Sequence, residues 1–169
     1  MGSNPIRTAA HFFILMLMTT THGIFIVDSE FKFLCVHPTG SPELVWSIPK
    51  GGAELNETSI EAAIRELKEE TNFNYNDFLK YLEYFQTIGN FPYKKRNKTL
   101  IAHIAYFNYP LSKANLDLKC LVNIDNSDKL ECDIVEWKDM CVALDYLHHT
   151  QIEAISEVYD TLMKRFLKK

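Results

Sequence analysis

No apolar run in these 169 residues is long enough to cross a bilayer. The longest, His11 to Met18 within the stretch from Ala9, falls far short of the roughly 20 residues a spanning helix needs. Arg7 stands ahead of it as in a signal peptide, but Thr19-Thr20-Thr21-His22 lacks the small residues of a cleavage site. Residues 1–18 therefore read as a leader, disordered or left by an expression vector, and residues 19–169 as one domain. Cysteine is scarce: Cys35, Cys120, Cys132 and Cys141 form no CxxC pair and no zinc spacing. They read as reduced thiols, which places the chain in a reducing, cytoplasmic compartment. Net charge is also small, at −4, so DNA or other non-specific nucleic-acid binding is not expected, and neither is a membrane partner. No internal repeat and no second domain are visible. A hydrophobic fraction of 47% and a charged fraction of 24% are those of a folded globular chain with a core of ordinary size.

Short β-branched and aromatic runs dominate the first third. Gly23–Val27 reads as a buried strand, and Phe31–His37 pairs back on it across the turn Asp28-Ser29-Glu30. Tyr81–Thr87 and Leu100–Phe107 read as two more strands around the basic loop Tyr93–Lys98, and Ile134–Trp137 as another. Asn115–Lys129, rich in Asn and Asp, has no helical stripe and reads as a mobile loop. A closing amphipathic helix from about Ile152 sets Ile155, Val158, Tyr159, Leu162 and Phe166 on one side. Strands and helices without a repeating βα rhythm indicate an α+β fold, a mixed sheet between helices.

One helix is marked more strongly than the rest. Thr58 with Glu61 three residues on forms a capping box, and Ile60, Ala63, Ile64 and Leu67 make one apolar stripe. Asn72 stands at its end, where a left-handed residue is often needed. Glu66, Glu69 and Glu70 share one turn-wide face, directed away from the centre of that stripe. Like charges at this spacing weaken an isolated helix, and the macrodipole disfavours them near its C-terminus. A bound cation would offset both costs, and hard oxygen ligands suit Mg²⁺ or Mn²⁺. A solvated acidic face salted by Arg65 and Lys68 would show the same spacing.

The residues around the carboxylates separate these readings. Gly51-x5-Glu57-x7-Arg65-Glu66-Leu67-x-Glu69-Glu70-x-Asn72-Phe73 resembles the Nudix box, Gly-x5-Glu-x7-Arg-Glu-U-x-Glu-Glu-x-Gly-U, where U is a bulky aliphatic residue. All spacings match; Asn72 replaces a glycine and Phe73 is aromatic. The resemblance implies a Nudix-type α/β/α sandwich with the box as loop, helix and loop. It implies Glu66, Glu69 and Glu70 as metal ligands, with the Gly51 carbonyl as a further one. Glu57 and Arg65 become a structural ion pair, and Lys50 reaches a substrate phosphate.

Flanking segments resemble one branch of that family, the asymmetrical diadenosine tetraphosphate hydrolases. Trp46-Ser47-Ile48-Pro49-Lys50-Gly51 is similar to their Trp-x-x-Pro-Lys-Gly entry, and Tyr93-Lys94-Lys95-Arg96-Asn97-Lys98 to their Tyr-x-x-Arg-Asn-Lys element. Lys94, Lys95, Arg96 and Lys98 make a cationic loop suited to a long phosphate chain. Tyr93 offers a ring for stacking a purine, worth roughly 1–3 kcal/mol, and Tyr146 or His149 a second clamp. Glu131, six residues before Trp137, resembles a downstream glutamate that reaches the metal cluster or acts as base; Glu136 competes for that role. The resemblance thus implies metal-assisted attack of water on a phosphoanhydride, with Glu69, Glu70 and Glu131 in the chemistry. Diadenosine tetraphosphate would yield ATP and AMP. Removal of pyrophosphate from a triphosphorylated RNA 5′ end is the alternative reaction, and a silent nucleotide-sensing module the alternative class. Retention of Arg65 and all three carboxylates argues against the sensor.

Overall fold

The computed structural model describes residues 19–93 and 97–166. The leader assigned to residues 1–18 lies outside them. Six strands form one mixed sheet: β1 (Thr19–Val27), β2 (Lys32–Pro38), β3 (Lys50–Gly51), β4 (Leu82–Pro92), β5 (Lys98–Phe107) and β6 (Cys132–Asp139). Their order is β4-β5-β1-β2-β6, with the short β3 pairing with β1. β1 and β5 run parallel, in register from Thr19↔Lys98 to Val27↔Tyr106, and the other pairs are antiparallel.

Alternation along β1 places the two halves of the core. Ile24 and Ile26 face α1 (Ser59–Thr71), packing with Ala63, Leu67, Phe73 and Phe107. Phe25 and Val27 face the other side, where Ile155, Val158 and Leu162 of α3 (Ile152–Phe166) cover them. Both faces of a central strand are thus buried, which is why β1 reads as an unbroken apolar run. A short helix, α2 (Ala143–Tyr146), and several 3₁₀ turns complete the α/β/α arrangement.

Most expected elements are present, with four differences. β4 continues past Thr87 to Pro92, because its inner residues keep pairing with β5 through two irregularities in register. Ile60 is 40% exposed and does not join the core stripe, whereas Ala62 is fully buried. α1 packs on β3 as well as β1, which rotates its buried face toward Ala62, Glu66 and Glu70. Tyr159 is likewise exposed on α3, and Ala154 takes an inner position. Finally, Asn115–Lys129 is fastened rather than loose. The Lys119 and Leu121 N–H groups donate to the Thr71 and Glu69 carbonyls at 3.0 and 2.7 Å, and Leu116 and Leu118 pack on the α1-side core.

Candidate active site

Local sequence places the carboxylate helix firmly. The Thr58 hydroxyl accepts from the Glu61 N–H at 3.3 Å, and the Glu61 carboxylate accepts from the Thr58 N–H at 2.8 Å. At the other end Asn72 takes the left-handed conformation, with φ 57°, and donates its N–H to the Lys68 carbonyl. The asparagine does more than a glycine could: its Nδ2 donates to the Asp117 carbonyl at 2.8 Å and its Oδ1 accepts from Lys68 at 2.6 Å. The departure from the box thereby ties the helix end to the following strap.

Contrary to an outward-facing acidic surface, two of the three carboxylates are buried. Glu66 is 9% and Glu70 6% exposed, while the Glu69 side chain stays partly open. Burial raises the Glu66 carboxyl above its ordinary range, against the pull of Arg65. Burial pushes Glu70 up to about 7, opposed by Lys50 and reinforced by Glu66 and Glu131. The Lys50 N–H donates to Glu70 Oε2 at 3.0 Å. The Glu66 carboxylate lies where a Cβ on residue 51 would stand, so only glycine admits it there.

Arg65 organises the cluster. Its Nε and Nη2 donate to the two oxygens of Glu57, each at 3.0 Å, and Nη2 also donates to the Gly52 carbonyl at 2.6 Å. Nη1 donates to Glu66 and to Glu69, both at 2.9 Å. The expected Glu57–Arg65 pair is present, and the same guanidinium also holds two candidate metal ligands. Among the described residues no three acidic, His or Cys side chains converge on one ion-sized position. The donor set nevertheless fits a hard divalent cation. It offers buried oxygen donors whose charge is unfavourable without one and a carboxylate seated over Gly51.

Two cavities meet at Lys50. One is lined by Lys50, Glu70, Glu131 and Cys132, with Val36, Pro38, Ser47 and Ile124. Glu131 therefore stands beside the carboxylates, while Glu136, paired with Lys138 along β6, does not line that cavity. The other is lined by Lys50, Tyr93, Lys98, His148, Thr150 and Gln151 with the Pro38–Ser47 loop. Tyr93 is not an open platform: it is 7% exposed and packed in the α3-side core, and its buried hydroxyl has no hydrogen-bond partner among the described residues. Trp46 is likewise a core residue, carrying the Lys138 ammonium 3.9 Å from its ring centre. Tyr146 stacks on Phe33 and donates its hydroxyl to the Asp139 carbonyl at 2.6 Å; it lines neither cavity. Lys94, Lys95 and Arg96 fall outside the described residues.

Sequence reading missed His148, Thr150 and Gln151. Gln151 is almost fully buried, accepts from the Ile48 N–H at 3.0 Å and donates to Ser47 at 2.8 Å, so it holds the segment leading into Lys50. It ends a 3₁₀ turn that runs into α3 and carries no motif; a polar residue just ahead of an apolar helix is its one signal.

A NUDIX domain model matches residues 12–160. The chain belongs to the NUDIX family. Over 49 residues it is 45% identical to the phosphatase NudJ of Escherichia coli (strain K12), covering 29% of this chain and 32% of that protein. The aligned stretch thus spans about a third of the length of the curated relatives it matches. Among solved structures, the NUDIX domain of Shewanella oneidensis NrtR complexed with ADP ribose superposes with a TM-score of 0.63. Identity is 15%, over 86% of this chain and 88% of that one. A Caenorhabditis elegans Ap4A hydrolase binary complex gives 0.61 at 21% identity, over 87% and 99%. A Francisella tularensis bifunctional NMN adenylyltransferase/ADP ribose pyrophosphatase, complexed with AMP and a manganese ion, gives 0.58 at 17%, over 93% and 47%. At these identities the structures establish the NUDIX fold.

Proposed function

We propose that this NUDIX protein hydrolyses a phosphoanhydride bond in a nucleoside polyphosphate, with diadenosine tetraphosphate, cut to ATP and AMP, as its preferred substrate. The observation that carries this reading is the position of Lys50, shared by the carboxylate cavity and the cavity of Tyr93, Lys98 and His148. A phosphate chain laid along Lys50 would put one phosphorus beside Glu70 and Glu131 and the nucleoside beside Tyr93 and His148. Lys50 and Lys98 supply the positive charge that a chain longer than a diphosphate requires. The likeness to the Ap4A hydrolase in overall fold is compatible with this choice.

Glu66, Glu69, Glu70 and the Gly51 carbonyl would hold Mg²⁺ or Mn²⁺, which neutralises phosphate charge and polarises the phosphorus when bound. Glu131, exposed at the same cavity, would accept the proton of the attacking water. Lys50 neutralises charge as it develops on the phosphate oxygens. Arg65 keeps its hold on Glu57 and the Gly52 carbonyl and yields the oxygens of Glu66 and Glu69 that it occupies here. The test is product analysis with Mg²⁺ across diadenosine tetraphosphate, triphosphorylated RNA, ADP-ribose and nucleoside triphosphates. ATP and AMP in equal amounts from the first, at the highest kcat/KM, support the reading. Preference for the RNA or for ADP-ribose overturns the substrate assignment and leaves the carboxylate chemistry standing.

A further inference from the structure

His37, the next-to-last residue of β2, is almost fully buried, and both of its ring nitrogens lie on acceptor oxygens. Nδ1 is 2.5 Å from Asp133 Oδ1 on β6, and Nε2 is 3.2 Å from the Pro42 carbonyl. A carbonyl oxygen can only accept, so Nε2 carries a hydrogen. A lone pair on Nδ1 could not face a carboxylate oxygen so closely, so Nδ1 carries one too and the ring is an imidazolium. Burial works against that charge, but Asp133, the Pro42 carbonyl and Glu43 outweigh it and raise the His37 pKa above the ordinary 6.5. The charged groups that face the ring are Asp133 from β6 and Glu43 from the loop after β2. Farther along β6, Glu136 and Lys138 pair with each other, with Lys138 over the Trp46 ring that meets His37 edge-on at 5.4 Å between centres. His148 lies behind that tryptophan and donates its N–H to the Trp46 carbonyl.

The segment that follows His37 walls both cavities at Lys50. Pro38, Ser41, Val45 and Ser47 line the one that holds Tyr93, and Pro38 and Ser47 the one that holds Glu70 and Glu131. Within the loop the Ser41 N–H donates to the Pro38 carbonyl at 3.0 Å and the Val45 N–H to the Pro42 carbonyl at 2.8 Å. Two further bonds fasten it to the start of β6. The Thr39 N–H donates to the Glu131 carbonyl at 2.9 Å, and the His37 ring bridges the Pro42 carbonyl to Asp133. Asp133 follows Glu131 by two residues, so one imidazolium ties the cavity wall to the stretch that presents Glu131. We propose, resting on the hydrolase reading above, that the His37 imidazolium is a positioning residue: it holds the Pro38–Val45 wall in place for substrate, and loss of its ring proton loosens the wall and weakens substrate binding. A neutral ring keeps one hydrogen, so one of the two acceptors loses its donor and the bridge opens. The bridge is complete below pH 6.5 and is lost as pH rises through the raised value of the folded protein.

The experiment follows the imidazole nitrogens and the Ser41 and Val45 amides of the isotope-labelled full-length chain by NMR through a pH titration. It then measures kcat and KM for diadenosine tetraphosphate with Mg²⁺ over the same range. The His37 signal, identified by its absence in His37→Gln, should titrate above pH 6.5, and the two loop amides should shift with the same midpoint. KM should rise severalfold across that midpoint with no matching fall in kcat, since the Glu131 N–H keeps its own bond to the Val122 carbonyl. His37→Gln should show a raised KM without the inflection. Asp133→Asn, at a half-exposed position, should lower the ring's midpoint and carry the rise in KM to lower pH with it. A ring that titrates at or below pH 6.5, loop amides that do not follow it, or a KM rise that stays in place in Asp133→Asn overturns the proposal. The ring and amide titrations need no substrate. A chain that gives both as expected yet hydrolyses no nucleoside polyphosphate overturns the hydrolase reading and leaves the His37 bridge standing.

Discussion

The Glu66 carboxylate fills the space in which a side chain on residue 51 would begin. β3 contributes Gly51, α1 contributes Glu66, and the helix can press its carboxylate onto the loop backbone only because the first is glycine. Gly51→Ala should therefore displace the Glu66 carboxylate, the end of a flexible side chain, with little effect on the rest of the fold. It should also weaken divalent-metal binding, read by calorimetry with Mn²⁺. Unchanged Mn²⁺ affinity would remove Glu66 from the ligand set.

Arg65 bridges Glu57, Glu66 and Glu69. Arg65→Gln leaves those carboxylates facing one another uncompensated. The expected outcome is a lower melting temperature without metal, and a larger rise on adding Mg²⁺ than the unmodified protein shows. Thermal melts with and without Mg²⁺ test this; equal Mg²⁺ shifts in the two proteins would contradict it.

Tyr93 has a buried hydroxyl without a hydrogen-bond partner among the described residues, in the wall of the second cavity. Leaving such a group unsatisfied costs about 1–3 kcal/mol, so Tyr93→Phe should melt at the same temperature or higher. If the hydroxyl meets substrate, KM should rise severalfold with kcat little changed. A lower melting temperature would instead indicate that the hydroxyl is satisfied within the protein.

His103 reports on the region where α1 begins. Its Nε2 lies 2.9 Å from the Ser59 hydroxyl and its Nδ1 3.1 Å from Thr87, while His22 contacts the same serine at 2.8 Å. Burial lowers the His103 pKa below the ordinary 6.5, so the folded state resists protonation. Its contribution to stability is complete above pH 6.5 and is lost as pH falls through and below that value. His103→Asn should flatten the decline in urea stability below pH 6.5, leaving the part due to His22, whose pKa is lowered for the same reason. An equally steep decline in the variant would assign the acid sensitivity elsewhere.

The carboxylate helix was legible because its signals are local: a capping box, an asparagine stop, and spacings within four turns of one helix. The Glu57–Arg65 pair was legible from the motif. Burial of Glu66 and Glu70 was not, since it depends on β3 lying beneath the helix, a contact between segments that spacing along α1 does not encode. The same holds for Asn115–Lys129, whose polar composition suggests mobility but whose backbone bonds to Thr71 and Glu69 depend on where α1 ends. Tyr93 and Trp46 stand in motif positions that do not tell core from ligand, because aromatic rings serve both. Packing distinguishes the two uses: both rings sit in the α3-side core, and Tyr93 also lines the second cavity. Gln151 carried no pattern, as its partners are more than 100 residues away.

Hydrolysis of diadenosine tetraphosphate by the unmodified protein and by Glu70→Gln, each with saturating Mg²⁺, tests the central claim most directly. The amide keeps the shape of the buried side chain and its bond from the Lys50 N–H, but not its negative charge. The unmodified protein should release ATP and AMP in equal amounts. Glu70→Gln should remain folded by circular dichroism and lose most of that turnover. Full turnover in a folded Glu70→Gln protein, or turnover in the unmodified protein that survives removal of divalent metal by chelation, would contradict the account.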